Sequence, residues 1–213
     1  MYLMTIESVT PIKDKKDSFT VLFDDGTETK VNAAQIADFG IHSGREYSED
    51  EYKELLESLS LSSSKARALR MLGSRSLSAR EIKKRLESKG ESREIAEQTV
   101  EWLEDIGMVD DAGYAASIVG YYSAKAYGKA RIRDELFKRG IDRELWDEVM
   151  CGVEGTNDAV YEFLLKKLRG SIEKDELRRA ADTLCRRGFS YGEAREAIND
   201  YLEKIEETKE DEQ

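Results

Sequence analysis

A chain of 213 residues is long enough for one large domain, two small ones or a short array of repeats. Hydrophobic residues make up 39% and charged residues 37%, a balance that suits thin helical layers with much solvated surface better than one thick core. Of the net charge of -11, residues 1–62 carry -7 (6 basic, 13 acidic), 63–150 carry +1 (17 and 16) and 151–213 carry -5 (11 and 16), so the basic footprint of a phosphate binder is missing.

The amino terminus lacks the basic, apolar and cleavage regions of a signal peptide. No apolar run approaches the roughly 18 residues needed to span a bilayer, and the expected compartment is the cytoplasm. Thr5–Ile12 and Phe19–Phe23 are rich in β-branched and aromatic residues, Asp24-Asp25-Gly26 is a turn signal, and Thr27–Val31 alternates polar with apolar side chains. These predict a β-hairpin or three-strand meander that packs on a following helix. Ser48-x-x-Glu51 is a capping-box signature opening a helix over Glu49–Leu59, and the four serines of Leu59–Ser64 read as a hinge.

From residue 64 the chain repeats itself. Three segments end in glycine: Ile82–Gly90, Ile132–Gly140 and Ala180–Gly188. Aligned on the glycine, Leu86, Leu136 and Leu184 stand four before it, and Ile82, Ile132 and Ala180 eight before it. Lys89, Arg139 and Arg187 stand immediately before it. The glycines are 50 and 48 residues apart, a period typical of repeat arrays.

In each unit the apolar positions share one helical face. A cation favours the negative end of the macrodipole, and glycine takes the left-handed conformation that ends the helix. Ser78-x-x-Glu81 and Ser190-x-x-Glu193 mark helix starts, and Gly128 stands where Ser78 does in the first unit. Each segment is preceded by a helix (Lys65–Leu72, Tyr114–Tyr127, Asn157–Leu168) and followed by another amphipathic one. The expected fold is mainly α: tandem three-helix repeats in an elongated curved solenoid, preceded by a small N-terminal β-hairpin or meander. The expected divisions are 1–60 (β leader and linker helix), 61–109, 110–154 and 155–207 (three repeats) and 208–213 (acidic tail).

Ala68-Leu69-x-x-Leu72, Arg75-Ser76-x-Ser78-x-x-Glu81-Ile82 and Leu86-x-x-Lys89-Gly90 resemble the opening of the bacterial RecX family. The likeness continues through Trp102-Leu103-x-x-x-Gly107-Met108-Val109-Asp110-Asp111-x-x-Tyr114-Ala115 and Gly128-x-x-Arg131-Ile132-x-x-Glu135-Leu136-x-x-Arg139-Gly140-Ile141. It is close over about residues 63–150, weaker in the third unit, and the β-rich leader departs from the shorter members. The chain is expected to be a monomer, and the resemblance implies a regulator that binds the groove of the RecA–DNA filament. It would limit filament extension, strand exchange and ATP hydrolysis in recombination and DNA repair, with weak or indirect DNA contact. A direct nucleic-acid binder and a helical scaffold for another protein are the rival readings.

The candidate partner-binding residues are the basic side chains of the first two repeats: Arg75, Lys83, Lys84, Arg85, Lys89, Arg131, Arg133, Lys138 and Arg139. Each has a bland alternative, a solvated helix face or an internal ion pair. Asp110-Asp111 reads as an N-cap and first-turn acid rather than a metal ligand. Trp102 and Trp146 read as core, and Cys151 and Cys185, the only cysteines, as small apolar helix residues. Tyr121, Tyr122 and Tyr127, near Lys125 and Lys129, suit packing between repeats or stacking on bases. One histidine, no nucleophile motif, no phosphate-binding glycine loop and no metal-ligand spacing leave no catalytic residues, metal or cofactor to propose.

Overall fold

The computed structural model describes residues 3–13, 15–153 and 158–211. Asn157, the 154/155 division and the last two residues of the acidic tail lie outside the described residues. The chain clusters into two compact units, one of residues 1–75 and 82–106 and the other of 76–81 and 107–213.

The first unit opens with strands β1 (Met4–Pro11), β2 (Ser18–Phe23) and β3 (Glu28–Asn32), joined as an antiparallel meander. At the β2–β3 turn Gly26 takes φ +81°, and the Asp25 carboxylate accepts bonds of 2.7 Å from the Thr27 amide and hydroxyl. A two-residue strand, β4 (Glu46–Tyr47), pairs with the other side of β1 and completes a four-stranded sheet in the order β3-β2-β1-β4. Between β3 and β4 lies helix α1 (Ala33–Phe39), which the sequence reading omitted. Its signal is a capping box: Asn32 accepts from the Gln35 amide and Gln35 accepts from the Asn32 amide, at 2.9 and 3.0 Å.

Helix α2 runs unbroken from Glu49 to Leu72, so the serine-rich stretch is not a hinge. The reason is packing. Leu55 and Leu59 bury with Ile6, Val21, Phe23 and Val31 of the sheet. Farther along the same helix, Ser64 and Ala68 are fully buried, and the Ser64 and Thr99 hydroxyls meet at 2.9 Å. Small serines let α2 lie close to helix α4 (Arg93–Asp105), which carries buried Ile95, Ala96, Val100 and Leu103. Helix α3 (Ala79–Glu87) buries Ile82 and Leu86, as its eight-and-four spacing predicts.

The second repeat comprises α5 (Asp111–Ser123), α6 (Lys129–Lys138), a 3-10 turn at Arg143–Leu145 and the single turn α7 (Trp146–Val149). Ile118, Val119, Ile132, Leu136, Ile141 and Met150 form its core. The third comprises α8 (Asp158–Leu168), α9 (Lys174–Arg186) and α10 (Tyr191–Asp211), around Val160, Leu164, Leu184, Ile198 and Tyr201. Trp102 and Trp146 are only half-buried, under the cations Lys65 and Arg143. Cys185 sits in α9, but Cys151 is exposed in a turn rather than helical.

In the second unit the middle helices meet end to end. The Ser78 hydroxyl, capping α3, donates to the Arg139 carbonyl at the end of α6, at 2.5 Å. The Gly128 and Ala130 amides, opening α6, donate to the Arg187 and Gly188 carbonyls at the end of α9, at 2.9 and 3.2 Å. At the start of α6, backbone donors without an intrahelical partner thus bond carbonyls at the end of α9.

Candidate partner-binding site

The structure sorts the nine predicted cations into three groups. Several are held internally. Lys83 forms an ion pair with Glu97 on α4, which Arg93 also contacts at 3.0 Å. The bonds from Lys83 and Arg93 hold the Glu97 carboxyl below its ordinary value. Arg131 and Lys138 both bind Glu135, at 3.0 and 3.2 Å. Glu135 is buried on the α5 side of α6. Burial alone would raise its pKa, but the Lys138 and Tyr122 hydrogen bonds and the charges of Lys138 and Arg131 bring it below the usual carboxylate range.

Arg139 is structural. Its guanidinium donates to the Tyr114 hydroxyl at 2.5 Å and lies over that ring. Arg187, at the same place in the third repeat, donates to the Lys125 carbonyl at 2.7 Å and sits 4.2 Å from the Phe163 ring centre and 4.9 Å from that of Tyr127. In the second and third repeats the arginine before the glycine therefore ties the end of its helix to neighbouring helices. Tyr127 is used between repeats two and three. Tyr122 packs edge-on against both Tyr121 and Tyr127, whereas Tyr121 remains 55% exposed beneath Lys125.

Arg75 and Arg85 form a second group, each engaged in an interaction within the chain. The third group is exposed: Lys84, Lys89 and Arg133. Lys89 lines a hollow with Arg67, Arg70 and Met71, in which Arg67 pairs with Glu91 at 3.2 Å.

On α6, Arg133 shares its outward face with Phe137, one turn on, whose side chain is 61% exposed. An aromatic ring left in water beside a cation is the composition of an interface anchor. The sequence reading passed over Phe137. Its signal was position: three before the glycine, about 100° around the helix from the core stripe. Asp110 caps α5 by accepting from the Gly113 amide at 2.9 Å, and Asp111 accepts from the Ala79 amide at the start of α3, also at 2.9 Å. Among the described residues no group of three or more His, Cys, Asp or Glu side chains could hold a metal ion, and no helix is long and apolar enough to cross a membrane.

The profile of the RecX first three-helix domain matches residues 65–103, and that of the second matches residues 110–150. The chain is 34% identical over 141 residues to the regulatory protein RecX of Xanthomonas campestris, a match spanning 64% of this chain and 86% of that one. The chain belongs to the RecX family. Its relative in Clostridium acetobutylicum, also a regulatory protein RecX, is 28% identical over 205 residues, covering 92% of this chain and 95% of that one. That match takes in much of the leader, so the β-rich segment is not an addition peculiar to this chain. A crystal structure of regulatory protein RecX shares the fold with a TM-score of 0.68, at 22% identity over 92% of this chain and 99% of the other. RecX from Lactobacillus salivarius does so with 0.57, at 19% identity over 67% and 96%. The chain is a helical repeat protein of a regulatory family.

Proposed function

We propose that this protein regulates RecA by docking on the RecA–DNA filament, and that the outward face of α6 carries the contact through Phe137 and Arg133. The observation that supports this most directly is the exposed Phe137–Arg133 pair within the second RecX domain, on a helix where Arg131, Lys138 and the terminal Arg139 are committed internally. A desolvated aromatic supplies affinity, and a rim cation sets encounter rate and orientation. Lys84 and Lys89 extend the exposed basic set on the first repeat. The protein acts by binding, changing the stability and ATPase cycle of filament subunits without chemistry of its own, in the cytoplasm where RecA works.

The test is RecA ATP turnover and filament length on single-stranded DNA, titrated with the wild type and with Phe137→Ala/Arg133→Glu. The wild type should suppress both. The double variant should need at least about tenfold more protein, the scale of one lost anchor, with an unchanged unfolding midpoint. If turnover and filament length both stay constant at saturating wild-type protein, the RecA reading fails.

A further inference from the structure

The acidic segment 1–62 suggests a different kind of partner. In the first unit, α2 and α4 lie side by side and leave a groove of about 580 Å³. From α2 come Glu54, Glu57 and Leu61, and from α4 Glu94 and Ile95, with Phe39 at the end of α1 adding to the lining. Residues 54, 57, 58 and 61 follow i, i+3, i+4 and i+7, so one face of α2 is presented to the groove along about 10 Å. The lining is apolar at Phe39, Leu61 and Ile95, neutral and polar at Ser58, Ser92 and Gln98, and acidic at the three glutamates. It contains no cation.

Three other glutamates of the unit are paired with cations. Glu51 has Arg45, Glu91 has Arg67, and Glu97 has both Lys83 and Arg93. Arg93, next in sequence to Glu94, is committed to Glu97. Among the described residues Glu54, Glu57 and Glu94 form no ion pair, and all three are exposed. Three exposed carboxylates, one of which, Glu94, feels the nearby cation Arg93, repel phosphate and attract cations. Phe39, Leu61 and Ile95 add what a simple solvated acidic surface lacks, a place for an aliphatic or aromatic side chain.

We infer that this groove is a docking site for a basic amphipathic protein segment, one that lays an apolar residue on Leu61 and Ile95 and sets lysine or arginine against the glutamates. Two turns of helix match the length of the exposed face, the helix-in-groove mode of recognition. Nucleic acid is disfavoured by the charge, so this surface is distinct in chemistry from the α6 face and does not depend on the RecA reading.

The probe is a fluorescein-labelled 14-residue helix-forming peptide with a leucine stripe flanked by lysines, titrated into the full chain. A same-composition peptide scrambled to abolish the stripe serves as control. The striped peptide should bind at least tenfold more tightly than the scrambled one. Amide hydrogen exchange should slow at residues 54–61 and 94–98. Glu54→Gln/Glu57→Gln/Glu94→Gln should weaken binding at least tenfold while leaving the unfolding midpoint in place. Equal binding of the two peptides, undiminished binding to the triple variant, or protection confined to other segments would each overturn the proposal. So would self-association of the free chain abolished by the triple variant, which would assign the groove to a second copy instead.

Discussion

Gly90, Gly140 and Gly188 end their helices in the same way, but only two of them are seats for another helix. In all three the backbone turns left-handed, with φ of +93°, +70° and +95°. The amide of the next residue returns to the leucine four before the glycine (Glu91 to Leu86, Ile141 to Leu136, Phe189 to Leu184) at 3.1–3.2 Å. The surroundings then diverge. A Cβ at Gly188 would stand 2.5 Å from the Arg131 backbone nitrogen, and one at Gly140 would stand 2.9 Å from Arg80 Cδ. Among the described residues nothing lies within 4 Å of one at Gly90. Helix termination is local chemistry, whereas the seat exists only where an earlier middle helix brings its N-terminus. The series also stops at the other end for a legible reason. Twelve residues before each glycine stand Ser78, Gly128 and then Glu176, and Glu176 is already inside α9.

Alanine at each position separates the two contributions. Gly188→Ala combines a left-handed penalty of roughly 1–2 kcal/mol with overpacking of about 1–3 kcal/mol against backbone that cannot yield, and should be the most damaging. Gly128→Ala has no left-handed penalty, yet its Cβ would meet the Gly188 carbonyl oxygen at 2.3 Å, so it should follow closely. At Gly140 the obstacle is the flexible stem of Arg80, and the loss should approach the conformational term alone. Gly90→Ala should show only that term. Chemical denaturation of the four variants gives the ranking. A Gly90→Ala loss equal to that of Gly188→Ala would show that the seats contribute nothing to stability.

What the sequence disclosed and concealed follows the same division. Strands β1 to β3, the glycine ends and the Ser78 and Ser190 caps are legible because each is set by residues within a few positions of one another, whereas β4 exists only through its pairing with β1. Helix α1 is equally local, its start marked by Asn32-x-x-Gln35. The continuity of α2 is not, because serine signals a breaker until Thr99 and the close approach of α4 are known. The basic candidates divide likewise. Glu97 captures Lys83 from fourteen residues away and Tyr114 captures Arg139 from twenty-five, pairings that no local pattern announces. Arg131, Lys138 and Glu135 lie within one helix and were readable as i+3 and i+4 pairs. Phe137 was readable as an aromatic off the core stripe.

Two carboxylates of the second unit extend the contrast between built and open surroundings to pH. Glu135 is 10% exposed at its side chain and held by two cations. Because its folded pKa is lowered, its contribution is present above the ordinary value of 4.5 and is lost as pH falls through the folded value. Glu135→Gln leaves Arg131 and Lys138 without their counter-ion and should cost about 1–3 kcal/mol at neutral pH. It should also reduce the loss of stability on acidification below pH 4.5. Thermal unfolding at pH 7 and pH 3.5 tests both, and equal losses at the two values would remove Glu135 as an acid-labile contact.

Asp111 runs the opposite way and yields the smallest effect. Burial raises its pKa, and the bond from the Ala79 amide only partly offsets this, while Asp110, Glu81 and Asp142 add like charge. A group whose folded pKa is raised costs stability when ionised, so the cost is present above the folded value and disappears as pH falls towards the ordinary value of 3.8. Asp111→Asn keeps an oxygen to accept from Ala79 and discards the charge. At neutral pH it should raise the unfolding midpoint slightly, by less than about 1 kcal/mol in stability for a half-exposed charge. The gain should vanish near pH 3.5, where wild-type Asp111 is itself protonated. A loss at pH 7 would mean that the negative charge at the start of α3 matters more than its burial, through the positive end of that helix dipole. The sign of this single difference therefore decides whether Asp111 joins the helix ends by its charge or only by its hydrogen bond.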